Sequence, residues 1–587
     1  VIRAHAAVIE RRGKFLVAEP FFAPGPRLAV SRDSRYDVGD LVAVLPGVSG
    51  RGGKGSRARV QRRIGRPSVA RDVIEALMVD RGLARGFEPV VNRAAAELSE
   101  LERAGEMGRR DLRQLPTFTI DPSTARDFDD AISCAEADAG GWMLWVHIAD
   151  VCAYVKPRSA IDREAYSRAT SVYVPGAVEP MLPAELSNGA CSLVPGEDRL
   201  AVTVEMLIRG SDVVSAAFYR SLIRSDMRLT YEQVDRVFAG TERAEGEWGS
   251  GLASARAAAR ALEQRRVAQS ALELGSAEPE FSFDRAGNVT GVTAVAQTES
   301  HRLIEHLMIA ANEQVAKFLE SRKLPALYRV HERPEAMAVQ RMLDQLSSLG
   351  VPTPPMGGRE SAPLTSQQAA DIAGEASRML AAWLATREQR GARAFNRIVL
   401  RSLKQAYYDD RNRGHSGLQL ASYCHFTSPI RRYPDIICHR SLLSAVSGEE
   451  PAPEPSWVTQ AGPWTSDKER RAMSIERDAD DIARCFLLES RLAEEPRGGA
   501  GKVFDGEIVG LIGAGAFVAF GEDGGFEGLL AVRRMRDDWW ELNEQCTALI
   551  GVRGGGALRL GDPVKVTVGG VDAPRGRVDL LPLESGE

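Results

Sequence analysis

Short stretches alternating apolar and polar residues open the chain, at 6–10, 14–18, 28–31 and, after a Gly39-Asp40 turn, 40–45. Period-two alternation punctuated by Gly, Pro and Asp predicts a small β-barrel. The pattern turns helical over 87–115 and leads into a long mixed block, about 116–495. Within it, strands are expected at 143–148 and 201–207. Helices are expected at 251–272, at 301–321 with Ser300 as N-cap, and at 467–492. Two Pro-rich breaks, 351–363 and 448–463, read as surface loops. After a Gly/Pro/charge linker at 494–501, five short strands follow (502–509, 515–520, 528–531, 562–568, 576–581), a second barrel of the OB type with Phe517, Phe520 and Phe526 as a possible stacking face. The expected fold class is therefore multidomain α+β: a barrel at 1–70, a helical linker at 71–115, a large α+β body at 116–495 and a barrel at 500–583.

Composition narrows the class. A chain of 587 residues, 44% hydrophobic and 26% charged, is too apolar for disorder and too polar to be membrane-embedded. No window holds about 18 uninterrupted apolar residues. Seven scattered cysteines without CxxC spacing argue against a disulfide framework or a zinc knuckle and fit a reducing cytoplasm. Val1 is not an initiator methionine and 1–11 does not read as a signal peptide, so the expectation is a trimmed N-terminus.

Net charge is −5, which alone argues against a nucleic-acid binder, but the charge is unevenly distributed. Residues 1–71 carry 15 Lys/Arg against 5 Asp/Glu, while 501–587 carry 9 against 14. A basic stripe acts over a Debye length of ~8–10 Å, so a distant acidic face barely cancels it. The stretch 51–71, with Arg51, Lys54, Arg57, Arg59, Arg62, Arg63 and Arg66, reads as a phosphate-contacting arm or a solvated linker.

The sharpest chemical signal is a run with Asp121, Asp127, Asp129 and Asp130, four aspartates within ten residues around a Pro-Ser turn. Converging carboxylates repel, and a fold tolerates them by raising their pKa values or by binding cations. An all-oxygen donor set favours Mg²⁺, with Mn²⁺ possible, over Zn²⁺. The spacing lacks the alternate Asp positions and sixth-place Gly of an EF-hand. A solvated acidic turn remains the plain alternative. Acidic magnesium sites suit displacement at phosphorus, which also needs a cation for the charge building on the phosphoryl oxygens. The segment 425–435 offers Arg431 and Arg432 after a Ser-Pro turn; an ordinary Arg–Asp pair with Asp435 is the competing reading.

Six motifs in order, TIDPSTARDFDDAIS, VHIADVCAYV, SVYVPGAVEPMLPAELSNGACSLVPGEDRLAVTVEM, SHRLIEHLMIAANEQVAKFL, LYRVHERP and YCHFTSPIRRYPDIICHR, resemble the catalytic (RNB) domain of the ribonuclease II / ribonuclease R family, of the bacterial ribonuclease R-like kind. The resemblance spans about 116–490, with a cold-shock-like barrel before it and an S1-like barrel after it. It implies a Mg²⁺-dependent, processive, hydrolytic 3′→5′ exoribonuclease that degrades single-stranded RNA to nucleoside 5′-monophosphates and a short end product. It places Asp121, Asp127, Asp129 and Asp130 as metal-binding and catalytic carboxylates, with Asp121 and Asp130 the main metal ligands and Asp129 least replaceable, and Arg431 at the scissile phosphate. Tyr173 would stack on the 3′-terminal base. Tyr231, Arg432, Glu305 and Glu476 would lie along the RNA, and Phe281 or Phe283 would complete the clamp.

His301, Glu305 and His306 fit no zinc spacing. His147 and Asp150 read as structural supports. The chain departs from the family in showing one N-terminal barrel where many members have two, and in its acidic terminal barrel. A monomer without an obligate protein partner is expected. The rival readings are an RNA-binding scaffold of the same fold without turnover and a DNA exonuclease.

Overall fold

The computed structural model describes residues 3–46, 58–100, 108–138, 140–268, 278–355, 364–448, 450–494, 502–535 and 538–583. Part of the basic stretch (51–57), the end of the helix expected at 251–272, part of the 351–363 loop and most of the 494–501 linker fall outside the described residues.

Five antiparallel strands form the first sheet, in the order Leu28–Val30, Phe15–Pro20, His5–Arg12, Leu41–Leu45, Arg59–Gly65. Ala58 N–H donates to Ala29 O at 2.9 Å, which links the two edges and makes the sheet barrel-like. Alternation explains the interior: Ala7, Ile9, Ala18, Val42, Val44 and Val60 pack together. Part of the expected basic arm is therefore a strand. Val60 points inward, Arg63 forks to Asp40 (2.7 and 2.9 Å) and Arg62 pairs with Glu75, so these two arginines decorate the barrel, while Arg51, Lys54 and Arg57 lie outside the described residues.

The body is built on a seven-stranded sheet ordered Met227–Thr230, Phe118–Asp121, Asp130–Glu136, Trp142–Ala149, Asp198–Arg209, Asp212–Arg224, Arg110–Asp111. The strands at 118–121 and 227–230 are parallel, with Asp121 opposite Thr230. Leu144, Val146 and Ile148 line a large apolar core with Leu303, Leu307, Phe426 and Tyr433. Buried hydroxyls and one imidazole cross the sheet in a row. Thr117 Oγ1 meets Ser133 Oγ (2.7 Å), Ser133 meets His147 Nε2 (3.1 Å), His147 Nδ1 meets Thr203 Oγ1 (2.9 Å), and Thr203 meets Ser221 (2.6 Å). Burial pushes His147 down to about 3, so it is a neutral link in this row and a structural support as expected. Asp150 likewise is locked between Arg109 and Arg220.

The helix expected at 301–321 runs Glu299–Ser321, capped two residues earlier than Ser300, by Thr298. The helix expected at 467–492 spans Pro455–Ala493, so half of the expected 448–463 loop is helical despite Pro463. A proline removes one N–H and crowds the preceding turn. Here hydroxyls of Thr465 and Ser466 bond the carbonyls of Ala461 and Gly462 (both 2.8 Å), which supports the local helix. This long helix carries Glu476 to the strand at Val172–Val174 and reaches the Ala70–Asp80 helix and the terminal barrel.

The terminal barrel is closed: Val503–Ile512, Gly515–Phe520, Phe526–Ala531, Arg577–Pro582, Pro563–Asp572. Its single parallel pairing, Phe526–Ala531 with Arg577–Pro582, is the OB arrangement. Phe520 and Phe526 are buried in its core, so they do not form the stacking face the sequence suggests. A small sheet of Trp540–Leu542, Ala548–Gly551 and Ala557–Arg559 is inserted after the third barrel strand and was not expected.

Candidate active site

The four aspartates lie on and between the adjacent strands Phe118–Asp121 and Asp130–Glu136, whose Phe118↔Ile132 register brings Asp121 beside the 129–130 end. The connecting turn is pinned. Ser192 Oγ accepts Phe128 N–H (3.0 Å) and donates to Arg126 O (2.9 Å), while Arg228 donates to the carbonyls of Pro122 (2.7 Å) and Ser123 (2.8 Å). Arg228 also lies over the Phe128 ring. Neither Ser192 nor Arg228 carries a motif of its own, and sequence reasoning missed both.

Asp129 is the most deeply set, 4% exposed. Its Oδ1 accepts Ile430 N–H at 2.8 Å across 301 residues of chain. Its Oδ2 is buried with no hydrogen-bond partner, as is Asp121 Oδ2. Arg431 Nε stands 3.7 Å from Asp129 Oδ2, with its side chain 45% exposed. Burial, first of all, raises Asp129 well above the usual carboxylate range, and the attraction of Arg431 opposes this. Burial and the Asp130 charge lift Asp121 to about 7. Burial lifts Asp130 to about 6 against the pull of Arg431 and Arg432. Carboxylates held this far above 3.8, two with unpartnered oxygens, are under-neutralised by the protein alone. Hard oxygen donors of this kind fit a divalent cation such as Mg²⁺ or Mn²⁺. Among the described residues, no three His, Cys, Asp or Glu groups stand together as a preformed metal cluster.

The two arginines have different environments. Arg432 is committed to Asp435 through both fork nitrogens (3.0 and 2.8 Å), and Asp435 also accepts Ser428 N–H (2.8 Å). The Arg–Asp pair weighed from sequence is thus real for Arg432. Its charge also attracts Asp130 and opposes the burial that lifts that carboxylate. Arg431 is the more exposed of the two arginines and stands beside Asp129. Phe426 sets the start of this segment: its N–H donates to Asn312 Oδ1 (2.9 Å), its carbonyl meets His439 Nε2 (2.8 Å), and its ring stacks on His439 at 3.9 Å.

Tyr173 is 39% exposed and joins the cluster directly: its hydroxyl donates to Asp127 Oδ2 (2.9 Å) and its N–H to Glu476 Oε1 (2.9 Å). Burial raises the Tyr173 phenol and the Asp127 charge adds to this, so the group stays a proton donor. Tyr231 follows Thr230, the strand partner of Asp121, and the charges of Asp130 and Asp121 add to burial in raising its phenol. Glu305 faces Gln297 (2.8 Å) and Arg266 (3.4 Å) on the helix flank, with partners other than the aspartates. Phe283 touches the space at Gly176, next to the Tyr173 hairpin, while Phe281 lies under Arg484.

A family profile described as RNB domain matches residues 109–448. Ribonuclease R of Vibrio parahaemolyticus is 36% identical over 503 residues, 83% of this chain and 57% of that protein. Ribonuclease R of Escherichia coli (strain K12) is 35% identical over 514 residues, covering 85% and 60%. Ribonuclease R of Aquifex aeolicus is 36% identical over 542 residues, covering 91% and 73%. The chain thus spans 57% and 60% of the length of the first two. Among solved structures, Mycoplasma genitalium RNase R in complex with ribose methylated single-stranded RNA superposes with a TM-score of 0.85 at 25% identity, covering 99% of this chain and 90% of that one. Yeast Ssd1, a pseudonuclease, shares the fold alone, with a TM-score of 0.65 at 16% identity, covering 93% and 67%. With a match over more than half its length and these relatives, the chain belongs to the RNB-domain family that includes ribonuclease R.

Proposed function

We propose that this protein is a hydrolytic 3′→5′ exoribonuclease that shortens single-stranded RNA processively, releases nucleoside 5′-monophosphates and stops at a short oligonucleotide. The observation that carries this reading is Asp129: a buried carboxylate with one oxygen fixed by Ile430 N–H, the other unpartnered, and the half-exposed Arg431 beside it. Membership of the RNB family and the ribonuclease R relatives supply the substrate class.

Asp121, Asp127, Asp129 and Asp130 would hold Mg²⁺, with Mn²⁺ as a substitute, and the cation would lower the pKa of an attacking water and neutralise phosphoryl charge. The chain's own groups do the rest. Asp129 is held rigidly, so its orientation costs no reorganisation when the substrate arrives. Arg431 offers its planar fork to the phosphoryl oxygens as charge builds. The water oxygen bonds to phosphorus, the P–O3′ bond breaks in line, and the departing 3′ oxygen takes a proton. Tyr173, anchored through Asp127 and Glu476, presents a ring to the terminal base, a stack worth ~1–3 kcal/mol with little sequence preference. Arg59 and Arg66, exposed on and beside the last strand of the first barrel, would offer cationic surface to the incoming strand. The free thiols, six of the seven buried, support a reducing compartment, and we place the protein in the cytoplasm as a monomer.

The scaffold reading draws on one observation, the shared fold with a pseudonuclease. The assay uses 5′-labelled single-stranded RNA and DNA of equal length, with Mg²⁺ or EDTA, for the parent protein and Asp129→Asn. RNA alone should shorten, only with Mg²⁺ and only in the parent, while the variant still binds. RNA unchanged in every lane would favour the scaffold, and equal shortening of DNA would overturn the RNA assignment.

A further inference from the structure

We propose that His301 is a positioning residue for the terminal nucleotide, acting through Tyr231: its imidazole is the flat platform that fixes the Tyr231 ring beside the carboxylate cluster. The inference rests on reading Tyr231 as a nucleotide contact and goes beyond it by naming what orients that contact.

The Tyr231 and His301 rings are stacked, with centroids 3.9 Å apart and planes 12° from parallel. Tyr231 opens the Tyr231–Phe238 helix directly after the strand residue that pairs with Asp121, so its backbone is set by the sheet that carries the aspartates. The backbone fixes where the phenol starts but not how its ring is turned about its two side-chain torsions. That choice falls to whatever packs on its face, and an aromatic partner restricts it to one orientation.

His301 is itself constrained. It sits at the third position of the Glu299–Ser321 helix, and its Nδ1 accepts from Thr298 N–H (3.4 Å) and meets Thr298 Oγ1 (2.7 Å). Nδ1 therefore acts as an acceptor and Nε2 carries the proton. A helix N-terminus disfavours a cationic side chain, and burial keeps the imidazole below its usual range even though Asp235 and Glu232 of the Tyr231 helix and Glu278 of the Glu278–Phe283 strand act the other way. A second tie holds the two helices in register: Ser300 N–H donates to Asp235 Oδ1 at 3.1 Å. The platform, its cap and the helix carrying Tyr231 form one clamp, and no atom of His301 needs to touch RNA.

The test is a double-mutant cycle on RNA hydrolysis, read as kcat and KM separately, with Tyr231→Ala, His301→Ala and the pair. An aromatic contact of this kind corresponds to about a three- to ten-fold effect, expected here in KM with kcat changed less than about two-fold. In the Tyr231→Ala background, His301→Ala should add less than about a two-fold change. His301→Phe keeps a flat ring and should retain KM within about two-fold, whereas His301→Gln keeps a hydrogen-bonding side chain without a ring and should resemble His301→Ala. Thermal melts of each variant guard against misfolding, and the Phe/Gln comparison decides the matter if the Ala variant melts early. The inference is overturned if His301→Ala has the same effect with and without Tyr231, if it has none, or if Gln rescues and Phe does not. Wild-type kinetics for Tyr231→Ala would instead show that the underlying reading of Tyr231 is at fault.

Discussion

Replacing Asp121 by Asn takes one charge out of a site where the fold leaves it under-neutralised. Burial first, and the Asp130 carboxylate second, raise Asp121 from 3.8 to about 7, against weaker opposing pulls from Thr119 and Arg228. An acid whose folded pKa exceeds its unfolded one holds its proton more tightly in the native state. Without a cation, stability therefore falls as pH rises from about 4 to about 7 and stays low above that. At about 1.4 kcal/mol per pH unit, the gap sets a ceiling of about 4 kcal/mol. Asp121 shares its repulsion with Asp130, and Asn forfeits the attraction of Arg228, so we expect the variant to regain ~1–2 kcal/mol. That corresponds to a rise in Tm of roughly 1–3 °C for a catalytic body of this size. The assay is a thermal melt in EDTA across pH 4–8. The variant should melt above the parent at pH 8, with the offset shrinking towards pH 4, where Asp121 is protonated in the folded state and increasingly so in the unfolded one. Mg²⁺ at pH 8 should stabilise the parent more than the variant. A variant that is less stable at pH 8 in EDTA, or an offset that does not change with pH, would refute the reasoning.

Other expectations follow from the same geometry. Arg432→Ala leaves the buried Asp435 unpaired and should cost about 3–5 kcal/mol of stability, read by urea unfolding, whereas Arg431→Ala should leave the melt near that of the parent. Arg431→Ala should instead lower kcat by roughly 10²–10³-fold in single-turnover hydrolysis, with Lys restoring only part of it because it lacks the planar fork. Tyr173→Ala should retain turnover but lengthen the end product on a sequencing gel; an unchanged ladder would remove its stacking role.

Much of the architecture is legible in the sequence because its signal is local. Alternation placed strands at 143–148 and 201–207 to within a few residues of the observed Trp142–Ala149 and Asp198–Arg209, and the five strands of the terminal barrel likewise. Local rules failed where a tertiary contact overrides them. Pro463 reads as a helix breaker, yet Gly462 packs within reach of Tyr408 O and nearby hydroxyls bond the surrounding carbonyls, so the helix continues through it. Arginine-rich composition hid the alternation of 59–65, in which Val60 and Ile64 are the only large apolar residues to announce an inward face. Phe520 and Phe526 look like a stacking surface because spacing does not say which face of a barrel strand points inward.

The candidate site divides in the same way. The aspartates are legible as a cluster because they are close in sequence. Their environment is not, because it arrives from far away: Ile430 and Arg431 for Asp129, Glu476 for Tyr173, His301 for Tyr231. The need for a cation at phosphorus pointed to Arg431 and Arg432 together, and only the motif resemblance singled out Arg431 beforehand. Nothing in periodicity or composition separates Arg431 from Arg432, and the structure does so through Asp435.

The account stands on the claim that these four carboxylates are a cation site. Crystals grown in Mn²⁺ and measured at the manganese absorption edge address it directly: anomalous density should lie within bonding distance of Asp121 and Asp129 and disappear in Asp129→Asn. Anomalous density absent from the cluster at saturating Mn²⁺, with the aspartates turned apart into solvent, would contradict it.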